Sequence, residues 1–342
     1  MDLTEVPTTS RLFDVPDLKY FCTRFIAISL FQANIRWRRL PDVVRSLKSW
    51  LAEVELAPLM KKQIHAGIGE TVREVQRWGE KHVDLFEEEK PRLIGDSRII
   101  RVQRCEHLRM FYGSITWKEN KYEIDDSATA KKIITKDCAD WPQMQFQFAC
   151  AYAMLELLTD QAVFDRIRRR AFSKRLSNHC LYDFWLTILS DSIAWEKMFS
   201  SDAVAPKQKL SLVFQFAIVN GYFELMNFIW ERVSEPQREY IGMNAENKGS
   251  EKHEDDVRKL EFLLDNCCPR LRNAMLSMEN FKAITDAFAY NQVETFAILL
   301  EHLDSEQLRS AREFVDRIYD RKQNEQVRGF RQMIMRRQNT ID

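Results

Sequence analysis

Phe214-Gln215-Phe216-Ala217-Ile218-Val219-Asn220-Gly221-Tyr222-Phe223-Glu224 decides the reading of this chain, because its opening phrase and its spacing recur. Phe146-Gln147-Phe148-Ala149 repeats the four letters, and Glu156 follows seven residues after the alanine, as Glu224 follows Ala217. A looser copy pairs Ala287 with Glu294 at the same distance. The three alanines stand about 70 residues apart, roughly twice the length of one helical-hairpin repeat. Recurrence at such a period predicts stacked units that bury a shared core, an architecture that more often presents a binding surface than a catalytic pocket.

Outward from these copies the chain reads as nearly continuous helix pairs after Trp141-Pro142, with units near 142–175, 178–206, 208–245, 252–277 and 280–312. Trp195-Glu196 precedes Trp230-Glu231 by 35 residues, which supports the second unit. Leu260-Glu261-Phe262-Leu263-Leu264 follows Leu225-Met226-Asn227-Phe228-Ile229 by the same interval, which supports the fourth. Between them Asn247 to Asp256, with Gly249, Ser250 and several Glu and Lys, has the composition of a solvated loop.

Composition agrees with helices. Hydrophobic residues make up 45% of 342 residues, enough for a substantial core, while Gly and Pro number only 9 each, too few for a turn-rich β-sandwich or barrel. Lys+Arg and Asp+Glu both total 51, so no bulk attraction to nucleic acid or membrane follows. Seven cysteines without framework spacing, two of them the adjacent Cys267 and Cys268 on an apolar stretch, point to reduced thiols in an intracellular chain. The early apolar run Phe25 to Phe31 is too short to span a bilayer. The expected location is the cytoplasm, with the nucleus open, and no membrane association is expected.

Residues 1–17 read as a flexible leader and residues 18–140 as a helical N-terminal domain. Phe21, Phe25, Ile28, Phe31 and Ile35 recur on one helix face. Pro41 opens a second helix with Val44, Leu47, Trp50 or Leu51, and Val54 on its apolar side. Pro58 opens a third, marked by Ile64, Ile68, Val72, Val75, Trp78 and Val83 to Phe86. Beyond it, Arg98–Val102 and Ile115–Ile124 suit strands, the latter a small hairpin turning at Lys118-Glu119-Asn120-Lys121; a helix over Val102–Tyr112 is the alternative. Residues 313–342 read as a basic C-terminal helix whose Phe314, Ile318, Val327 and Phe330 close the array.

Ala217 to Glu231 resembles the inner-helix end, turn and outer helix of an ankyrin repeat. A small residue lets the inner helix pack closely, an Asn-Gly turn reverses the chain, and Glu224 opens an apolar outer helix. Residues 287–301 repeat the scheme with Asn291 at the turn. Leu212-Val213-Phe214-Gln215 stands where the family's Thr-Pro-Leu-His opening belongs, and Ser234 to Glu239 looks like an extra helical turn rather than a β-hairpin finger. The resemblance covers about residues 142–312 and implies an all-α solenoid of about five divergent ankyrin-like hairpins behind the helical N-terminal region. A generic helical-hairpin solenoid without shared ancestry is the alternative.

The resemblance places the residues just before each turn on a concave, partner-binding face: Ala151 and Tyr152, Val219 and Asn220, Ala289 and Tyr290. A Tyr152–Asn220–Tyr290 ladder suits protein recognition, since tyrosine offers rigid apolar area and a hydroxyl; alternatively the tyrosines cover neighbouring helices. The sharpest charge cluster is Arg166, Arg168, Arg169, Arg170, Lys174 and Arg175. With the runs at 36–39 and 328–337 it supports a second reading, a nucleic-acid-binding helical array, although such runs are more often solvated helix ends. Nothing in the sequence asks for catalysis, a metal or a cofactor. Gly67-Ile68-Gly69 lies inside a helical pattern, the six histidines are scattered, and His179-Cys180 are mere sequence neighbours. The expectation is a non-catalytic scaffold or adaptor that binds a protein partner.

Overall fold

The computed structural model describes residues 18–86, 106–160, 179–245, 256–266, 272–273, 276, 282–319 and 325–341. The leader, the strand expected at Arg98–Val102, the arginine cluster at 166–175, the loop at 247–255 and the Cys267-Cys268 pair lie outside them. The described chain is all-helical, apart from one isolated antiparallel bridge, and divides into two compact units, Met1–Phe148 and Ala149–Asp342.

The first unit is built on α1 (Leu18–Ile35), α2 (Leu40–Glu53) and α3 (Pro58–His82). Prolines at the starts of α2 and α3 suit a first turn whose amides have no helical partner. Val43, Leu47 and Leu51 are the buried stripe of α2, which settles Leu51 over the half-exposed Trp50. On α1 the buried stripe is Arg24, Ala27, Ile28, Phe31 and Ile35, so the expected Phe25 is replaced by an arginine and faces solvent. The reason is local. Arg24 Nε–H donates to Lys121 O at 2.7 Å and an Nη2–H donates to Lys118 O, so the guanidinium cation is satisfied by the carbonyls of a turn.

That turn is the expected hairpin in minimal form. Its arms meet at the Trp117–Ile124 bridge, with Lys118 N–H donating to Glu123 O at 2.9 Å and Asp125 N–H to Thr116 O at 2.8 Å. Upstream, a 3₁₀ helix over Glu106–Ser114 stands close to the helical alternative, and α4 (Asp126–Lys132) follows, N-capped by Asp125. Gly67 lets the hairpin approach. A Cβ there would collide with the Tyr122 hydroxyl and stand 3.1 Å from Ala27 Cβ.

Helix α5 (Pro142–Ala151) carries the chain into the second unit. There follow α6 (Leu155–Leu158), α7 (Cys180–Ile188), α8 (Ser192–Ser200), α9 (Val204–Asn220), α10 (Phe223–Trp230), α11 (Glu235–Ala245) and α12 (Asp256–Asn266). The unit ends with α13 (Lys282–Ala289), α14 (Val293–His302), α15 (Ser305–Tyr319) and α16 (Glu325–Ile341). The stretch after Ser234 is thus a full helix, and residues 313–342 hold the end of one helix and the whole of another rather than a single C-terminal helix. Phe214, Trp185, Phe228 and Trp230 are the aromatic centre of the α7–α10 region; Phe214 and Trp230 rings lie 5.3 Å apart. Farther on, Phe288, Phe296, Leu299, Leu300, Leu308, Val315, Phe330 and Ile334 bury one another between α13 and α16.

Candidate interaction face

The recurring phrase folds into one turn, made three times. Met154 N–H donates to Ala149 O at 2.9 Å, Tyr222 N–H to Ala217 O at 2.9 Å, and Gln292 N–H to Ala287 O at 2.8 Å. The residue before each donor takes a left-handed backbone: Ala153 at φ 47°, Gly221 at 69°, Asn291 at 56°. Each following helix opens one residue after the donor and carries the recurrent glutamate in its first turn. The alanine is buried in every copy, as is the large residue three positions earlier: Phe146, Phe214 and Ile284. A helix-ending turn of this type satisfies carbonyls that would otherwise lack partners, which explains why alanine and glutamate keep their spacing.

The residues just before these turns diverge in exposure. Tyr152 is 3% exposed, its ring set edge-to-face against Tyr222 at 5.5 Å, so it is a core residue and not a rung of an open ladder. Tyrosines covering neighbouring helices describe this copy. Asn220 is half-buried, and its Nδ2–H donates to Phe216 O at 3.0 Å within its own helix. Tyr290 is 69% exposed, and Val219 is 46% exposed. Leu212, one heptad before Val219 on α9, and Val293, at the start of α14, are exposed as well. Arg168, Arg169 and Arg170 lie outside the described residues. Among the sequence-predicted residues that are described, Val219, Ala289 and Tyr290 are exposed, Asn220 is half-buried, and Ala151 and Tyr152 are core.

Two of the four arginines at 328–337 are engaged in structure, while Arg328 and Arg336 are exposed. Arg337 Nη2–H donates to Glu301 O at 2.7 Å and its Nε–H to Leu300 O at 3.3 Å, capping the end of α14. Arg331 pairs with Asp316 at 2.7 Å. His179 Nδ1 accepts from Leu181 N–H at 3.3 Å as the N-cap of α7. Burial pushes the thiols of Cys180 and Cys150 up, that of Cys138 to about 12, away from the thiolate that nucleophilic chemistry needs. Among the described residues no group of His, Cys, Asp and Glu is arranged to hold a metal ion, and no helix is long and apolar enough to cross a membrane.

The first unit contains a feature that sequence reasoning missed, a largely buried ion cluster. Asp126 receives Lys81 Nζ at 2.6 Å and Arg77 Nη2 at 2.9 Å. Arg77 also grips Glu74 with two bonds of 2.8 Å, and Glu74 accepts the Ile124 N–H at 2.8 Å. The cluster clamps the hairpin and the start of α4 onto α3. Only the spacing Glu74-x-x-Arg77-x-x-x-Lys81 was visible beforehand, a pattern that any solvated helix face shares.

His82, beside this cluster, is fully buried, stacks on Trp78 at 4.4 Å and donates from Nδ1 to Trp78 O at 2.6 Å. Burial lowers its pKa to about 3, so the folded protein keeps it neutral. A histidine with a depressed pKa contributes stability fully above its unfolded pKa and loses it as pH falls toward the folded one. Melts between pH 7 and 4 should therefore show destabilisation beginning near pH 6 and growing by about 1.4 kcal/mol per pH unit. His82→Phe should flatten that slope. An unchanged slope in the variant would show that another group carries the proton.

Comparison with family models, curated proteins and solved structures finds no match for the chain.

Proposed function

We propose that residues 141–312 form a divergent ankyrin-like helical array, and that the protein is a non-catalytic adaptor binding a protein partner through the ends of its inner helices. The observation that carries this reading is the pair Val219 and Tyr290. Val219 lies two residues, and Tyr290 one residue, before the left-handed position of a copy of the same turn, and each leaves apolar surface in solvent. Tyrosine beside apolar neighbours is the residue class that dominates protein interfaces. Glutamates at each outer-helix start and alanines at each inner-helix end have a structural explanation in the turn itself; Val219 and Tyr290 are 46% and 69% exposed and offer their surface beside it.

A Val219→Ser/Tyr290→Ala variant should keep its melting temperature, while a partner captured from the native cell and then titrated as a purified protein should bind it at least tenfold more weakly, as expected when a central aromatic anchor is lost. Tyr152→Ala should behave in the opposite way, costing about 2–4 kcal/mol of stability as a core truncation. If the partner binds the double variant as tightly as the wild type, the face lies elsewhere.

A further inference from the structure

The turn between α1 and α2 holds the one large side chain among the described residues that takes a left-handed backbone. Trp37 has φ 65°, and its indole is 60% exposed. The other left-handed positions are occupied by Ala153, Gly221 and Asn291, all small. An L-residue with a bulky Cβ substituent clashes with its own following carbonyl in this region, and glycine or asparagine relieves the clash. Trp37 thus fits neither criterion that retains a residue for the sake of the fold: it does not suit the backbone, and it does not bury its surface. Positions that break a local rule without structural gain are where function is expected.

The neighbours define what it meets. Arg36 precedes Trp37 by one position and Arg39 follows it by two, and both are exposed, Arg39 with a contact of its own in the fold. Arg38 is the locking member. Its Nη2–H donates to Ser46 Oγ at 2.7 Å and more weakly to Asp42 O at 3.4 Å, while its backbone N–H donates to Ile35 O at 2.9 Å. The turn is therefore a mount, tied to α2 by Arg38, for an exposed indole with an exposed arginine on either side of it in sequence. Arg45 and Lys48 add further positive charge on exposed positions of α2, although Arg45 shares its charge with Asp42 at 3.4 Å.

We infer that Arg36-Trp37-Arg38-Arg39 is a contact site for single-stranded nucleic acid, with Trp37 as the stacking platform and Arg36 and Arg39 on the flanking phosphates. A single strand is the ligand that repeats a stackable flat ring and an anion together at every unit, so an exposed aromatic ring with exposed cationic residues before and after it in one turn matches one nucleotide and its neighbouring phosphates. A lipid surface is the poorer match, because interfacial binding needs a broad apolar face and the residues beside this indole are arginines. The site is independent of the partner face proposed above.

The test uses the full chain and a fluorescently labelled oligouridylate of about 12 nucleotides, within the usual single-strand site size. Anisotropy should report binding that weakens with added salt. Trp37→Gly should lose roughly tenfold or more in affinity, the range expected for one stacked base, yet hold or raise the melting temperature, because glycine suits the turn. Arg36→Gln/Arg39→Gln should lower the slope of log affinity against log salt by about 1.4, two single-strand phosphates' worth. The inference is overturned if the oligonucleotide does not bind or binds Trp37→Gly equally well. It is also overturned if Trp37→Gly lowers the melting temperature, which would make Trp37 structural. Sedimentation with anionic phosphatidylserine vesicles that depends on Trp37, without oligonucleotide binding, overturns it in favour of a membrane contact.

Discussion

Replacing Asp126 by alanine should cost the N-terminal unit about 3–5 kcal/mol, the effect of breaking a buried charge pair and stranding its partners. Asp126 is the anion on which Lys81 and Arg77 converge, at 2.6 and 2.9 Å, and the Lys81 side chain is only 6% exposed. Without the carboxylate, the buried Lys81 loses its 2.6 Å ion pair, and Arg77 loses its bond to Asp126 while keeping those to Glu74. Burial by itself pushes the Asp126 carboxyl up, but Lys81 and then Arg77 outweigh it and hold it well below the usual carboxylate range. For such a depressed group the stability is present at neutral pH and is lost as pH falls below about 4, where the unfolded chain takes up the proton first. This separates it from His82, whose contribution fades from about pH 6 downward. Urea denaturation at pH 7, with hydrogen exchange read on α3 and α4, checks the size. Lys81→Met combined with Asp126→Ala should recover part of the loss, since the pair is then absent rather than broken. A single variant that melts like the wild type would show that the cluster contributes no net stability.

The chain disclosed its helices through periodicity, and its repeated turn through the interval between a small residue and a glutamate. Both signals are local: a buried alanine and a first-turn carboxylate are needed within one hairpin whatever surrounds it. What escaped depends on partners distant in sequence. Phe25 fits the apolar rhythm of α1 better than Arg24, yet Arg24 is buried because carbonyls 94 and 97 residues away accept its protons. The Asp126 cluster spans 45 to 49 residues, and no spacing rule reaches that far. Tyr152 and Tyr290 occupy equivalent places in their copies, yet the first packs its ring against Tyr222 and is core, while the second is 69% exposed. The N-terminal reading is least definite where short elements compete: at 115–124 the hairpin closes on a single bridge, and at 106–114 the helical alternative takes 3₁₀ form, short elements for which local propensity is a weak guide.

Trp185→Ala should remove about 3–5 kcal/mol from the second unit, as expected for truncating a wholly enclosed indole. The ring lies 4.9 Å from Phe228 and 5.4 Å from Phe184, and its Nε1–H donates to Cys150 O at 2.9 Å, one residue beyond the alanine that starts the first repeated turn. Trp185→Phe, which keeps most of the packing and abandons the bond, should cost about 1 kcal/mol, the net value of one hydrogen bond, since Cys150 O still accepts the Ala153 N–H at 3.4 Å. The pattern of loss is more informative than its size. In a linear array each hairpin draws its stability from its neighbours, so damage at Trp185 should strip hydrogen-exchange protection from α5 to α10 and leave the Phe288–Phe296–Phe330 cluster of α13 to α16 protected. A single cooperative domain would instead lose protection everywhere together. The first outcome supports the repeat-array reading and predicts that Val219 and Tyr290 respond to damage independently; uniform loss would replace it with a globular unit in which the recurring turn is a local device.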